Sequence, residues 1–233
     1  MTVPDDETMV RIWERGSREH PIDRGLTLLA SLSGRPRAEL ADLSIRERDE
    51  SLLALRTVLF SAPLSGYAQC PRCGCEIDVS LDAGDPEEGD DPDDGLLWIE
   101  GRAVRYRLPN SVDLAAAAQC GQVDEARRLL IDRCIDDTGN DGRPGPELIA
   151  AVESVLDERA GRSVATVGLR CPDCDHDWVL TLDVAEFFFE EVAAVARGLL
   201  HEVDQLARSY GWGEAEILAL GPVRRRVYLE LVG

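Results

Sequence analysis

Apolar residues recur every three to four positions through most of this chain and switch to alternation only in short stretches. Met9, Ile12 and Trp13 mark a first helical face, and Leu26, Leu29 and Leu32 a second. Pro21 suits the first turn of that second helix, where its missing N–H costs nothing, and Ser33-Gly34 ends the run. Ser44 with Glu47 reads as a capping box. It opens a helix to about residue 60 with Ile45, Leu52, Leu55 and Leu59 on one face, so residues 5–61 are predicted to be helical. Further helices are predicted at 111–118, 122–135 and 146–160, with the Gly/Pro-rich stretch 139–146 as a break. A long helix is predicted over 183–210, capped by Asp183 with Glu186 three residues on. Its seam is Phe188, Val192, Val195, Leu199, Leu206 and Tyr210, with Val203 beside it, and Gly211 stops it. Two short helices, 214–220 and 222–231, follow.

Alternation appears at Ile77, Val79 and Leu81, and again at Trp178, Leu180 and Leu182, with a further strand expected over 97–108. The first two runs are halves of an internal repeat. Residues 70–82 read CPRCGCEIDVSLD and residues 171–183 read CPDCDHDWVLTLD, with matched positions 101 residues apart throughout. In each, a Cys-x-x-Cys turn runs into a short strand. Val164, Thr166 and Gly168 lead into the second turn. Two such knuckles build a zinc ribbon, in which Cys70, Cys73, Cys171 and Cys174 would give a tetrahedral Zn2+ its four thiolates. The turn after each second cysteine would aim backbone N–H groups at the sulfurs. The 97 residues between the knuckles exceed the usual separation. An insertion is tolerated because loop-closure cost grows only logarithmically. Two separate disulfides, or a site that has lost its metal, are the alternatives. A thioredoxin-like pair would sit at a helix start, whereas both pairs here precede strands. Cys75 and His176 lie just outside the knuckles as spare donors, and Cys120 and Cys134 read as core cysteines on helices.

The predicted fold is therefore α+β: mainly α-helical, with a small antiparallel zinc-ribbon-like sheet formed by two Cys-x-x-Cys knuckles far apart in sequence. Three regions are expected. Residues 1–64 are helical. Residues 65–183 hold the split ribbon, an acidic loop and inserted helices. Residues 184–233 carry the long helix and two short ones.

Composition narrows the function. Of 233 residues 44 % are apolar, enough for one large domain or two small ones. The 45 acidic residues against 25 arginines and no lysine give a net charge of -20, which argues against nucleic acid and anionic membrane as partners. Eight of the acids fall in 82–94, read as a flexible acidic loop. The start lacks a basic, apolar leader, and no run reaches about 18 apolar residues, so a soluble cytoplasmic protein without membrane insertion is expected. In that compartment paired cysteines are metal ligands or redox centres before they are structural disulfides. His201-Glu202 begins like a helical zinc-protease motif, but Gln205 stands where the second histidine belongs. There is no phosphate loop, dinucleotide fingerprint or nucleophile elbow. A metal closed by four thiolates offers no open position for catalysis. No catalytic residue, no small-molecule substrate and no enzyme activity are expected.

Three blocks carry a resemblance. The first is Trp13-Glu14-Arg15-Gly16, then His20-Pro21-Ile22-Asp23-Arg24, then Arg48-Asp49 before Leu52-Leu53-Ala54-Leu55-Arg56. The second is the pair of knuckles with Arg107-Leu108-Pro109 and Asp113-Leu114 between them. The third is Leu206-Ala207-Arg208-Ser209-Tyr210-Gly211-Trp212, then Glu216-Ile217-Leu218 and Arg225-Arg226-Val227-Tyr228-Leu229. Together they resemble the T-even-phage-type baseplate protein family, in the version encoded within phage-tail-like contractile injection system clusters. Gly213 departs from the pattern, since a serine-like cap would suit the next helix better, and the acidic loop is an elaboration. The resemblance implies a non-enzymatic structural or assembly role whose partners are other baseplate or hub proteins. Tyr210, Trp212 and Tyr228 are then a candidate aromatic anchor for a partner. Arg224, Arg225 and Arg226 are a candidate contact with an acidic protein. The alternative packs Trp212 and Tyr228 against the terminal helices. A zinc-ribbon adaptor touching nucleic acid is the competing function.

Overall fold

The computed structural model describes residues 4–61, 63–81, 95–99, 102–135, 145–161 and 166–232. The fold is α+β and mainly helical, with small antiparallel two-stranded sheets. The acidic stretch 82–94, most of the break 139–146, and Val164 lie outside the described residues. The chain divides into two compact units, Met1–Arg37 with Ala185–Gly233, and Ala38–Val184. The expected boundary at 64 is not the one the contacts draw: the helix after Ser44 groups with the cysteine-bearing region.

In the first unit, α1 (Asp6–Gly16) starts where the Asp5 carboxylate accepts from the Thr8 N–H at 2.8 Å. His20 Nδ1 accepts from the Ile22 N–H at the head of α2 (Pro21–Ser33), which ends at Gly34 with φ +70°. That left-handed turn suits glycine, which has no Cβ to clash. The second unit holds α3 (Arg37–Ala41), α4 (Ile45–Phe60), α5 (Ser111–Ala117), α6 (Val123–Cys134) and α7 (Pro146–Gly161), and the first resumes at Ala185 with α8 (Val184–Tyr210), which begins immediately after Asp183. α8 buries Phe188, Phe189, Val192, Ala193, Ala196, Leu199 and Leu206. Val195, expected in the seam, is 36 % exposed. The 3.6-residue period carries the buried arc from Val192 to Ala196 instead. A Cβ at Gly16 would collide with the Phe189 ring, so the missing side chain is what admits that ring against α1. Arg24 completes the junction, bonding both Glu186 carboxylate oxygens at 2.6 and 2.8 Å and lying 4.7 Å over the Phe189 ring. Two short helices follow, α9 (Glu214–Leu218) and α10 (Pro222–Val232). Gly213 supplies no side-chain cap, but Glu216 reaches back to accept from its N–H at 2.9 Å.

The second unit opens with α3 (Arg37–Ala41, begun at the boundary), a separate short helix inside the stretch expected to be helical, and α4 (Ile45–Phe60). The Ser44 capping box forms in both directions: Ser44 Oγ accepts from the Glu47 N–H, and Glu47 from the Ser44 N–H. Strands β1 (Leu64–Gln69) and β2 (Glu76–Leu81) form an antiparallel hairpin, as do β3 (Leu96–Ile99) with β4 (Arg102–Arg105) and β5 (Thr166–Arg170) with β6 (Asp177–Thr181). The strand expected over 97–108 is thus two paired strands, and β1 is an addition. The helices are α5 (Ser111–Ala117), α6 (Val123–Cys134) and α7 (Pro146–Gly161). Val104, Tyr106, Ile131, Ile135 and Val152 make a buried cluster under the middle hairpin and the α6 and α7 helices. Among the described residues no helix is long and apolar enough to cross a membrane.

Candidate metal centre

Each knuckle is the tip of a hairpin, and the two tips have the same backbone. Cys70 N–H donates to the Cys75 carbonyl and Gly74 N–H to the Cys70 carbonyl, both at 2.9 Å. One repeat later, Cys171 N–H donates to the His176 carbonyl at 2.9 Å and Asp175 N–H to the Cys171 carbonyl at 3.0 Å. The residue after each second cysteine is left-handed, Gly74 at φ +76° and Asp175 at φ +53°. Aspartate tolerates that region better than most side chains. Asp175 is also held by the Arg170 guanidinium, at 3.0 and 3.3 Å.

This turn geometry brings four sulfurs together from two places 97 residues apart in sequence. Cys70 Sγ lies 3.7 Å from Cys174 Sγ, and Cys73 Sγ 3.5 Å from Cys171 Sγ. All four lie within 4.8 Å of one another. All four cysteines are free, so the two close pairs, each crossing between knuckles, are not bonded. A tetrahedral ion with metal–sulfur bonds of about 2.3 Å needs its sulfurs about 3.8 Å apart, close to what is found. Cys70 and Cys171 are buried, Cys174 is half-buried and Cys73 is exposed.

The backbone prepares the sulfurs for negative charge. The Cys75 N–H faces the Cys73 sulfur, and the His176 N–H faces that of Cys174. The N–H groups of Cys174 and Asp173 face Cys171. Burial pushes the Cys171 thiol up, but these donors and the Cys73 and Cys174 thiols outweigh it and hold it at about 7. Burial and the neighbouring sulfurs push Cys174 up to about 12 against its own N–H donor. The Cys75 N–H pulls Cys73 down, yet the Cys171 sulfur and burial leave it raised. One thiol ionises readily and the crowding then resists further charge. A cation removes that resistance, so the donor set can bind a metal ion.

The remaining candidates separate. Cys75 stays outside the four-sulfur cluster, its sulfur 3.5 Å from the Glu76 carbonyl, and His176 stacks on Trp178 with ring centres 6.1 Å apart. Cys134 is buried on the helix over Val123–Cys134, in keeping with core packing, whereas Cys120 is half-buried between two helices and is not the core cysteine expected there. Glu202, the carboxylate of the protease-like stretch, is taken by Arg225, and His201 lies 3.2 Å from the Gln205 amide. Tyr210 stacks on Trp212 with ring centres 4.6 Å apart, and both meet Tyr228 edge-on, at 5.6 and 4.9 Å. The three arginines do not act together. Arg224 and Arg226 are exposed, whereas Arg225 is buried at 4 %, its Nε 2.5 Å from Glu202 and its Nη1 2.6 Å from Asp6. Arg225 is therefore an internal clamp of the first unit rather than an outward contact. Sequence reasoning missed this because the partner carboxylates are far away in the chain, on α1 and α8.

Replacing Arg225 by methionine leaves two carboxylates facing an apolar group, and should cost about 3 kcal/mol, at the low end for a broken buried pair because both acids keep some solvent access. Denaturant midpoints check this, and metal content should not change.

The fold and site together define an α+β protein with a four-cysteine centre, built from two hairpin knuckles, that can bind a metal ion. Comparison with known proteins returns no matching family model, no matching curated protein and no matching solved structure.

Proposed function

We propose that this protein is a non-enzymatic structural or assembly component of the baseplate of a contractile phage-tail-like particle, and that its four cysteines hold a structural Zn2+. The observation that carries the zinc assignment is the closed set of four thiol donors, each knuckle backed by backbone N–H groups. When bound, zinc would neutralise the four thiolates and staple the two hairpins, with no position left open for a substrate. Cys70, Cys73, Cys171 and Cys174 are its ligands.

The baseplate assignment rests on the three-block resemblance. The matched residues have architectural jobs in keeping with it. Gly16 admits the Phe189 ring, Arg24 ties Glu186, Arg225 ties Asp6 and Glu202, and Leu206 and Ile217 are fully buried. Its partners are then other baseplate or hub proteins, met in the cytoplasm where the particle is built. The charge of -20 and the acidic residues Glu76, Asp78, Asp175 and Asp177 around the knuckles speak against nucleic acid.

Tagged protein recovered from cells making such particles should bring down sheath, spike or wedge proteins. Recovery of nucleic acid instead would favour the adaptor reading. Assembled particles counted by electron microscopy should fall in step with zinc content when a ligand cysteine is replaced. Normal particle numbers with a metal-free variant would refute the structural role of the ion.

A further inference from the structure

Helix α10 is packed with its polarity reversed. Its inward side carries Arg225, buried between Asp6 and Glu202, with half-buried Tyr228 and Leu229. Its outward side carries Val223, Val227 and Leu231, which follow one another at four-residue steps and so share one face. They are 78 %, 51 % and 71 % exposed. Hydrophobic burial within the chain alone would turn this helix the other way, because three aliphatic side chains are left in water while a charge is buried. The Arg225 clamp fixes the orientation that presents them.

The borders of the stripe are specific. Arg224 lies on one side and Arg226 on the other, both exposed, and neither guanidinium has a hydrogen-bond or ion-pair partner among the described residues. That is notable in a chain with 45 acidic residues. Glu230 shares the outward side, so the two arginines leave the border net positive. Next to Arg224 and Leu231 on the helix surface stands Tyr228, with the Tyr210 and Trp212 rings set edge-on to it. Tyrosine, tryptophan and arginine around an aliphatic strip are the residue types that dominate binding energy at protein interfaces.

We propose that the outward face of α10 docks an acidic amphipathic helix of a partner protein. The partner's apolar ridge lies along Val223, Val227 and Leu231, and its flanking carboxylates meet Arg224 and Arg226. Charge complementarity selects this occupant: a basic or neutral helix would leave both arginines unpaired at the rim of a desolvated strip. The surface stands on the geometry of α10 and does not depend on the identity of the particle or on the metal.

The test uses the full-length, metal-loaded protein and a designed monomeric helical peptide with leucines along one face and glutamates beside them. A second peptide carries lysines in place of the glutamates. Fluorescence anisotropy should show the acidic peptide binding at least about tenfold tighter than the basic one. Val227→Asp should weaken the acidic peptide about tenfold or more. Arg224→Glu with Arg226→Glu should invert the preference between peptides. All three positions are exposed, so unchanged circular dichroism and thermal midpoint will certify the fold. Equal binding of the two peptides, no binding of either, or binding indifferent to Val227→Asp would overturn the proposal. So would sedimentation showing a dimer of this chain that Val227→Asp dissolves, because the occupant would then be a second copy.

Discussion

Cys171→Ser is expected to abolish stoichiometric metal binding and to destabilise the second unit by on the order of 5 kcal/mol, because metal-binding free energy at such a site is folding free energy. Cys171 is wholly buried and receives two backbone N–H donors, so no water can take its place without disturbing the turn. The loss propagates because a two-stranded hairpin alone is marginal in water, and the ion would join two of them. Elemental analysis should read about one zinc per chain in the wild type and almost none in the variant. A chelator should lower the wild-type melting temperature and leave that of the variant unchanged. Cys75→Ser serves as the control, since that sulfur lies outside the cluster and its loss should keep the zinc. Full metal content in Cys171→Ser, or wild-type stability in excess chelator, would remove the structural centre from the account.

Local pattern made the helices legible. The Ser44 box, Pro21 at a helix start and Gly211 after α8 each act through bonds or angles within a few residues, so the chain alone states them. The knuckles were legible for the same reason: a tight turn with two cysteines is local, and its repetition 101 residues on is visible without a fold. Strand β1 was not, because Ser65, Gly66, Ala68 and Gln69 carry little strand propensity and only its pairing with β2 holds it. The middle hairpin was read as one strand since its register, Ile99 opposite Arg102, is a pairing fact that alternation cannot express. The division into units that the contacts draw was not legible for a similar reason. Ile45 N–H donates to the Pro109 carbonyl and Ser44 bridges to Asn110, tying α4 forward to a segment that no local signal connects with it. Arg225 shows the limit most plainly. Three consecutive arginines look alike in sequence, yet carboxylates on two distant helices bury the middle one and leave its neighbours in water.

The second large effect belongs to Asp113, whose carboxylate is wholly buried and makes four hydrogen bonds. Arg107 donates to both oxygens at 2.5 and 3.0 Å, Arg133 at 2.7 Å, and the Asn110 N–H at 3.0 Å. The same side chain thus caps α5 and draws α6 to the segment before it. Burial pushes this carboxyl up, but Arg107, the Asn110 N–H and Arg133 outweigh burial and hold it at about 2, below the ordinary 3.8. A folded value lower than the unfolded one means stabilisation that is fully present above about pH 4 and lost as pH falls through about 2, worth about 2 kcal/mol. Asp113→Ala should cost about 3 kcal/mol at neutral pH, because it leaves two arginines facing each other and a capping N–H unpaired. Both arginine side chains are more than a third solvent-accessible at 35 % and 38 %, so they rehydrate in part and the loss stays near the lower end for a broken buried pair. Asp113→Asn keeps the shape and removes the charge. Its stability gap to wild type, from urea midpoints, should hold steady from about pH 7 to pH 5 and narrow below about pH 4. A gap that stays constant or widens on acidification would mean that the charge on Asp113 is not what holds α5 and α6 together.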